Sequence, residues 1–239
     1  MKDASLSTSK ITQAHKKNRA QVKSVITHLN RFHNKALKSQ SKLNELLLDN
    51  IFSKLLLPLW VSILEIEFNI LQYENYPLTK GFLNSTNLSS STECDKWIAL
   101  TDFFFKEQYL KNHKREITKT SIGDTNYHRY TTIVEIINNE LKPFIELRNR
   151  IVHGQWAVAL NTTGTARNQE LTQHVWTLSK KDLMLLKIFV ENLPELLKFL
   201  IISKKTFERD YDVFINRINL AKQDVDLRLR GLIKLLSKT

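Results

Sequence analysis

The sequence predicts an all-α protein, and three observations support this fold class. The 239 residues include only five glycines and four prolines, too few for a turn-rich β fold. Apolar residues recur at spacings of three and four through much of the chain. Hydrophobic residues make up 42% of the sequence and charged residues 25%, as in a soluble globular domain with a substantial core. The length suits one large domain, or a core domain with appended helices.

The chain divides into three segments, which we expect to form one folded unit. Residues 1–50 predict a basic N-terminal helix that runs through residues 10–50. Residues 51–202 predict a compact helical core with a small β-hairpin. Residues 203–239 predict a basic C-terminal helix with the alternating apolar spacing of a coiled-coil seam. The two terminal helices could pair with each other or with a second copy of the protein.

The first half of the core predicts two helices. Residues 51–75 form the first, with Pro58 near its start. The Ser/Thr/Asn-rich residues 84–92 indicate a loop. Thr92 and Asp95 then have the spacing of a capping box, which predicts that a helix begins there and covers residues 93–111.

The second half of the core predicts two further helices. Residues 112–128 are polar and we expect them to be irregular, whereas residues 129–153 predict a helix that is kinked or broken at Pro143. Gly154 is expected to end that helix in a left-handed conformation. Residues 180–202 predict another helix, kinked at Pro194.

Between these two helices the pattern predicts a small hairpin. Apolar side chains alternate over residues 156–160, and residues 174–178 predict a second short strand. The connection between them, residues 161–173, is long and polar for a hairpin. The four tryptophans are interpreted as core or interface anchors, and a role as base-stacking platforms is not assigned from the sequence alone: Trp60, Trp97, Trp156 and Trp176.

The net charge of +12 is distributed unevenly. Residues 1–50 carry a net charge of +7 and residues 203–239 of +4, whereas residues 51–202 carry only +1. Two basic arms on a nearly neutral core suit a polyanionic partner such as RNA. Four cations of the first arm are therefore candidate RNA-binding residues: Lys16, Lys17, Arg19 and Lys23. The alternative is a solvated basic surface that serves solubility.

The sequence offers no set of metal or cofactor ligands. Cys94 is the only cysteine, so neither a disulfide framework nor a zinc-finger spacing can be built. Its acidic neighbours Glu93 and Asp95 disfavour a reactive thiolate. No pair of histidines has convincing metal-ligand spacing. We therefore expect no metal and no cofactor.

The sequence favours a cytoplasmic location. The first ten residues have no signal-peptide character. The most apolar stretch, residues 55–71, is interrupted by Glu65, Glu67 and Asn69. Because charge is costly at the centre of a bilayer, we interpret this stretch as a buried helix rather than a membrane span.

One motif carries candidate chemistry. Residues 147–154 read Leu-Arg-Asn-Arg-Ile-Val-His-Gly, in which Arg148, Asn149 and His153 stand at the end of a predicted helix. This pattern resembles the HEPN superfamily, whose signature is an arginine, four to six residues, and a histidine, often with asparagine directly after the arginine. Two helices before the motif and one after it extend the resemblance over roughly residues 50–200.

The resemblance implies a HEPN-like helical bundle that cleaves RNA without a metal. It also implies a homodimer in which the two motifs face each other in a composite active site. Many small HEPN proteins act as toxins or in abortive-infection and anti-phage defence, so an antitoxin or defence-system partner is an expectation as well. In HEPN toxins controlled by nucleotidyltransferase antitoxins, a tyrosine follows the histidine by two positions. Gln155 stands there in this chain, so that regulation is not implied.

The residue types suit RNA cleavage by attack of the 2′-hydroxyl. A histidine such as His153 can transfer protons near neutral pH. Arg148 offers a fixed fork of donors to phosphate oxygens. Asn149 shares a helix face with His153 and can orient the imidazole or the RNA. Arg148 and His153 are about 140° apart around an ideal helix, which favours a site assembled from two copies.

Other interpretations of these residues stay open. His153 could be a buried helix-end histidine and Arg148 a surface ion-pair former. The chain could also be a non-catalytic HEPN module that binds RNA, nucleotide or a protein partner, or a helical assembly protein in which the motif is incidental. Arg150 is a possible second phosphate ligand. Glu67 lies on an apolar helix face and could meet Arg148 or Arg150, as a site member or as a structural partner. A separate polar stripe is most simply interpreted as facing solvent, although HEPN proteins often place a polar residue from an early helix in the site: Ser62, Glu65, Asn69 and Gln72.

Overall fold

The computed structural model of the protein describes residues 7–38, 42–74, 82, 91–110, 115–161 and 163–236, with backbone only for residues 42, 43 and 228–236. This part of the chain is all-α, as predicted. Its helices, numbered here in chain order, are α1 (Thr8–Leu37), α2 (Lys42–Tyr73), α3 (Glu93–Tyr109), α4 (Lys119–Ile122), α5 (Asp124–Ile136), α6 (Lys142–Val152), α7 (Gln169–Thr177), α8 (Lys180–Ile202) and α9 (Lys204–Leu236). A π-helical turn, Ile137–Leu141, joins α5 to α6.

Two central helices organise the packing. α2 and α8 pack against each other, α1 lies along α2, and α9 lies along α8. One continuous apolar core extends from Ile26 of α1 to Ile218 of α9. The short helices α3 to α7 cover the remaining faces, and α6 packs directly on α2. Both basic terminal helices therefore contribute residues to this core.

The N-terminal segment differs from the prediction. The predicted single helix over residues 10–50 ends at Leu37, and α2 begins at Lys42. The predicted segment boundary at residue 50 thus falls inside α2, and Pro58 lies in the middle of this helix rather than near its start. Residues 38–41 are all polar and offer no apolar face that would carry one helix through. Around Pro58, the buried Leu56 and Leu57 anchor α2 in the core.

The seam of the C-terminal helix is used within the protein. Phe207, Tyr211, Phe214 and Ile218 are all buried in the core beside α8. The first half of this seam therefore packs against α8. Farther along the helix, Leu220 is exposed.

The predicted hairpin is replaced by a helix. Residues 174–178 fall on α7 and its C-terminal end, and an isolated bridge joins Leu160 to Arg167. No strand is found in the described ranges. Asn168 caps α7 because its side chain accepts a hydrogen bond from the Leu171 N–H at 3.0 Å. The link predicted as a polar loop thus supplies the first half of this helix.

Several local predictions are confirmed. Thr92 and Asp95 form a reciprocal capping box at the start of α3. α8 covers residues 180–202, and Ser203 separates it from α9. Pro143 occupies the second position of α6, and the π-helical turn directly precedes α6. The loop predicted at residues 84–92 lies mostly outside the described residues.

The polar segment after α3 is more ordered than predicted. Residues 119–122 form α4, and α5 begins at Asp124 rather than near residue 129. Thr118 and Ser121 form a capping box for α4, and Gly123, with φ of 83°, separates it from α5. Ser, Thr and Gly are frequent both in helix caps and in loops. The composition of residues 112–128 therefore does not distinguish a short capped helix from an irregular segment.

One described helix, Asn44–Tyr73, is long and apolar enough to cross a membrane by length and composition alone. In the most apolar part of this helix, 44% of the residues are buried inside the protein.

Candidate functional site

The motif lies at the C-terminal end of α6. His153 caps this helix, and Gly154 follows with φ of 81°, as predicted. The N–H of Gln155 donates to the Arg150 carbonyl at 2.9 Å, and the N–H of Gly154 donates to the Ile151 carbonyl at 3.0 Å. These two bonds make a Schellman motif, which fixes the direction in which the chain leaves the helix.

Arg148 is held on both sides. One guanidinium nitrogen donates to the carboxylate of Glu65 on α2, and the other donates to Oδ1 of Asn149 at 2.9 Å. The Arg148 side chain is 23% exposed, so its stem is packed while its charged head reaches the surface. Glu65 therefore restricts the orientation of the guanidinium group, and several of its donor hydrogens remain available to an anion.

The other two motif residues face solvent. Asn149 and His153 are exposed, and both lie within the last turn of α6 or directly after it. No described residue forms a hydrogen bond with the His153 imidazole, although its backbone N–H donates to the Asn149 carbonyl at 3.2 Å. The expectation that His153 could be a buried helix-end histidine is therefore wrong.

Two contacts fix how α6 lies on α2. Arg148 bonds Glu65, and eight residues after Arg148 the carbonyl of Trp156 accepts a hydrogen bond from Lys54 at 2.9 Å. Arg148 contacts residue 65, whereas the later Trp156 contacts the earlier residue 54. Residues 148–156 and α2 therefore run antiparallel. The end of α6 therefore lies alongside α2, with Asn149 and His153 exposed and Arg148 partly exposed.

Glu67 occupies a different place from the one considered in the sequence. Both of its carboxylate oxygens accept hydrogen bonds from the Arg19 guanidinium of α1, each at 2.9 Å. Glu67 therefore meets neither Arg148 nor Arg150. Arg150 instead approaches the Asn161 carbonyl at 3.5 Å, beside the chain that follows the motif.

The residue that sequence reasoning placed elsewhere is Glu65. It was assigned to a stripe facing solvent, whereas its carboxylate binds the motif arginine. Two residues on a helix are separated by about 200°, so Glu65 and Glu67 point to different neighbours. The apolar neighbours of Glu67 suggested that its carboxylate could meet Arg148, whereas the carboxylate that binds Arg148 is that of Glu65. The useful signal was the location of Glu65 within a polar stripe on an otherwise apolar helix.

The candidate RNA-binding cations of α1 fall into two groups. Lys16 pairs with Glu74 at 3.2 Å and Arg19 pairs with Glu67, so both charges are partly neutralised inside the protein. Lys17 and Lys23 are exposed. Only these two of the four are presented to a partner without a carboxylate contact in the described residues.

The remaining candidates for chemistry are weak. In the described residues, no group of three or more His, Cys, Asp or Glu side chains could hold a metal ion. Burial, followed by the charge of Asp95, raises the pKa of the Cys94 thiol to about 12. A thiol with so high a pKa is a structural residue rather than a nucleophile.

Comparisons with known protein families, with curated proteins and with solved structures gave no match.

Proposed function

We propose that this protein is an endoribonuclease of the HEPN type, which cleaves RNA by attack of the 2′-hydroxyl without a metal ion. The observation that carries the proposal is the arrangement of Arg148, Asn149 and His153 on one exposed helix end, with Arg148 oriented by Glu65. An anchored guanidinium and a solvent-accessible imidazole, on the same helix end, are the two kinds of group that this reaction needs.

The reaction assigns a role to each residue. A base removes the proton of the 2′-hydroxyl, the new O2′–P bond forms, and the P–O5′ bond breaks as an acid protonates the leaving oxygen. This yields a 2′,3′-cyclic phosphate and a free 5′-hydroxyl. His153 transfers a proton, and Arg148 stabilises the charge that builds up on the phosphorane oxygens. Asn149 orients the guanidinium, to which it is already bonded at 2.9 Å, or the RNA.

A homodimer would supply the second acid–base group. Each motif presents only one histidine, whereas the reaction needs a base and an acid. Exposed apolar side chains that suit a protein contact occur in the motif and shortly after it, at Val152 and Trp156, and in the first half of α2, at Leu47, Ile51 and Leu55. Light scattering at micromolar concentration should then give about twice the 28.0 kDa chain mass. A monomer that still cleaves RNA would contradict the composite site.

The decisive experiment is RNA cleavage in EDTA. Purified protein should cleave single-stranded RNA and leave a cyclic phosphate end, and Arg148→Ala and His153→Ala should each abolish cleavage while the helical circular-dichroism signal persists. Matched controls are His128→Ala and Arg209→Ala, which alter exposed residues of the same types away from the motif. Activity that requires Mg²⁺, or that survives both motif substitutions, contradicts the proposal.

The alternative is a non-catalytic HEPN module that binds RNA, nucleotide or a protein partner. It is favoured by the free His153 imidazole, which no described side chain orients for proton transfer. In that case the protein would bind RNA in the assay above without cleaving it. The proposed role in a cytoplasmic toxin, abortive-infection or other anti-phage system, with an antitoxin or defence partner, follows from the resemblance to HEPN proteins alone.

A further inference from the structure

Two side chains beside the motif have unusual surroundings. Lys54 of α2 is only 5% exposed, yet its Nζ contacts no carboxylate in the described residues. It donates to the Trp156 carbonyl at 2.9 Å and lies 5.3 Å from the centroid of the Trp176 ring. A buried lysine is normally paired with an acid, because an unpaired buried charge is costly.

Trp176 is fixed in place but left open. Its indole N–H donates to the Ala157 carbonyl at 2.8 Å, and one face of the ring covers the Lys54 ammonium. The residue is nevertheless 58% exposed, so the opposite face of the ring is open to solvent. Asn50 reinforces this arrangement, because its amide donates to the carbonyls of Val175 at 3.0 Å, Trp176 at 3.1 Å and Leu178 at 2.9 Å, at the end of α7.

We propose that Trp176, backed by Lys54, is a nucleotide subsite that stacks a base of single-stranded RNA beside the cleavage motif. This inference rests on the proposed function. An indole held at its edge loses little freedom when a base stacks on its open face. The charge of Lys54 has no carboxylate partner in the described residues and gives this surface a positive potential. A positive potential suits a polyanionic partner better than it suits an apolar protein partner.

The location fits one RNA strand that contacts both places. Ala157, which holds the indole, is four residues after His153, so their Cα atoms are at most about 14 Å apart. A nucleotide stacked on Trp176 would hold the backbone of the same strand across the motif. Burial lowers the pKa of the Lys54 ammonium, and no described carboxylate opposes this shift.

The test measures binding of a fluorescein-labelled, mixed-sequence, single-stranded RNA on a His153→Ala background, which prevents cleavage. Trp176→Ala should raise the Kd about 5- to 150-fold, because stacking contributes about 1 to 3 kcal/mol per base. Trp176→Phe should keep most of the affinity but lose most of the quenching of tryptophan fluorescence by RNA. Met184→Ala is the matched control, because Met184 is equally exposed at 58% and lies on α8.

The outcomes distinguish failure of the subsite from failure of the proposed function. If the parent protein binds RNA and Trp176→Ala binds it equally well, the subsite is overturned while the proposed function stands. Loss of the dimer with unchanged RNA affinity would assign the ring to a protein contact and would overturn the subsite too. If the parent protein binds no RNA, both proposals fail. Lys54→Met should weaken binding severalfold; if that variant does not fold, the Trp176 variants carry the test alone.

Discussion

The guanidinium of Arg148 donates a hydrogen bond to the carboxylate of Glu65, which lies 83 residues earlier in the sequence. This contact joins the motif helix α6 to the central helix α2, on the face of α2 opposite to the one that Glu67 uses to hold α1. Two carboxylates on one helix thus serve different purposes. Glu65 positions Arg148 of the motif, and Glu67 anchors the N-terminal helix.

Substitution of Glu65 should therefore affect cleavage more than stability. Glu65→Ala should lower the single-turnover rate by as much as ~100-fold, because a displaced Arg148 no longer matches the transition state. Glu65→Gln, which keeps an acceptor oxygen, should lose less. The control is Glu67→Gln on the same helix, whose partner is Arg19. Equal rates for Glu65→Ala and the parent protein would show that Arg148 needs no positioning.

The four cations of α1 should separate into two classes. Lys17→Glu with Lys23→Glu should weaken RNA binding for all sequences and flatten its salt dependence, because both side chains are exposed. Lys16→Glu with Arg19→Glu should instead lower the unfolding free energy, since it places acids beside Glu74 and Glu67. Fluorescence anisotropy at several salt concentrations and urea denaturation distinguish the two effects. If the variant with Lys17→Glu and Lys23→Glu binds RNA as tightly as the parent protein, these two charges are solvated and do not contact RNA.

Gly154 should be required for its backbone conformation. At φ of 81° an alanine is strained by about 1 to 2 kcal/mol, and a Cβ would meet no atom within 4 Å, so the cost is conformational rather than steric. Gly154→Ala should lose that stability in urea denaturation and also lower cleavage, because it disturbs the cap at His153. Gly164→Ala is the matched control, with φ of 70° and equally open surroundings. Gly164→Ala should lose similar stability and keep full cleavage. If both variants cleave RNA equally well, the backbone conformation of Gly154 does not matter for cleavage.

His33 should make the fold sensitive to mild acid. Its side chain is fully buried, stacks on Phe52 with ring centroids 4.6 Å apart, and has no hydrogen-bond partner in the described residues. Burial lowers the pKa of His33; Asp49, 3.6 Å away, opposes this shift, and Lys180 adds to it. The pKa of His33 is lower in the folded state than in the unfolded state. The stability that the neutral, buried imidazole provides is therefore complete above about pH 6.5 and is lost as the pH falls.

The measurement is the unfolding free energy between about pH 7.5 and 5. His33→Gln should be less dependent on pH than the parent protein over this range, because the buried imidazole that resists protonation is gone. His28→Gln on the same helix alters an exposed histidine and should keep the dependence of the parent. Parallel curves for the parent protein and His33→Gln would contradict the prediction.

The sequence predicted well where a local signal fixes a local structure. The Thr92–Asp95 spacing, Gly154 after His153 and Pro143 inside a helical pattern each involve neighbouring residues, and the structure confirms all three. The all-α class and the limits of α8 were predicted correctly for the same reason, since both follow from long periodic patterns.

The predictions that failed depended on contacts between distant residues. The segment after the motif is a helix because Asn168 begins it and Asn50, more than a hundred residues earlier, binds the carbonyls at its end. Likewise, the choice of Glu65 rather than Glu67 as the partner of Arg148 depends on the rotation of α2 in the core. Neither fact is contained in any short window of the sequence.

The π-helical turn at Ile137–Leu141 has a consequence for the length of the chain. Such a turn contains one residue more than an α-helical turn, so the residues after it are rotated by about 100° relative to a regular helix. Loss of a single residue there, for example Asn138, would restore a regular helix and turn Arg148 away from Glu65. The separation of α5 and α6 is therefore fixed to the residue, and homologues with shorter spacing would have to bind the arginine through another position on α2.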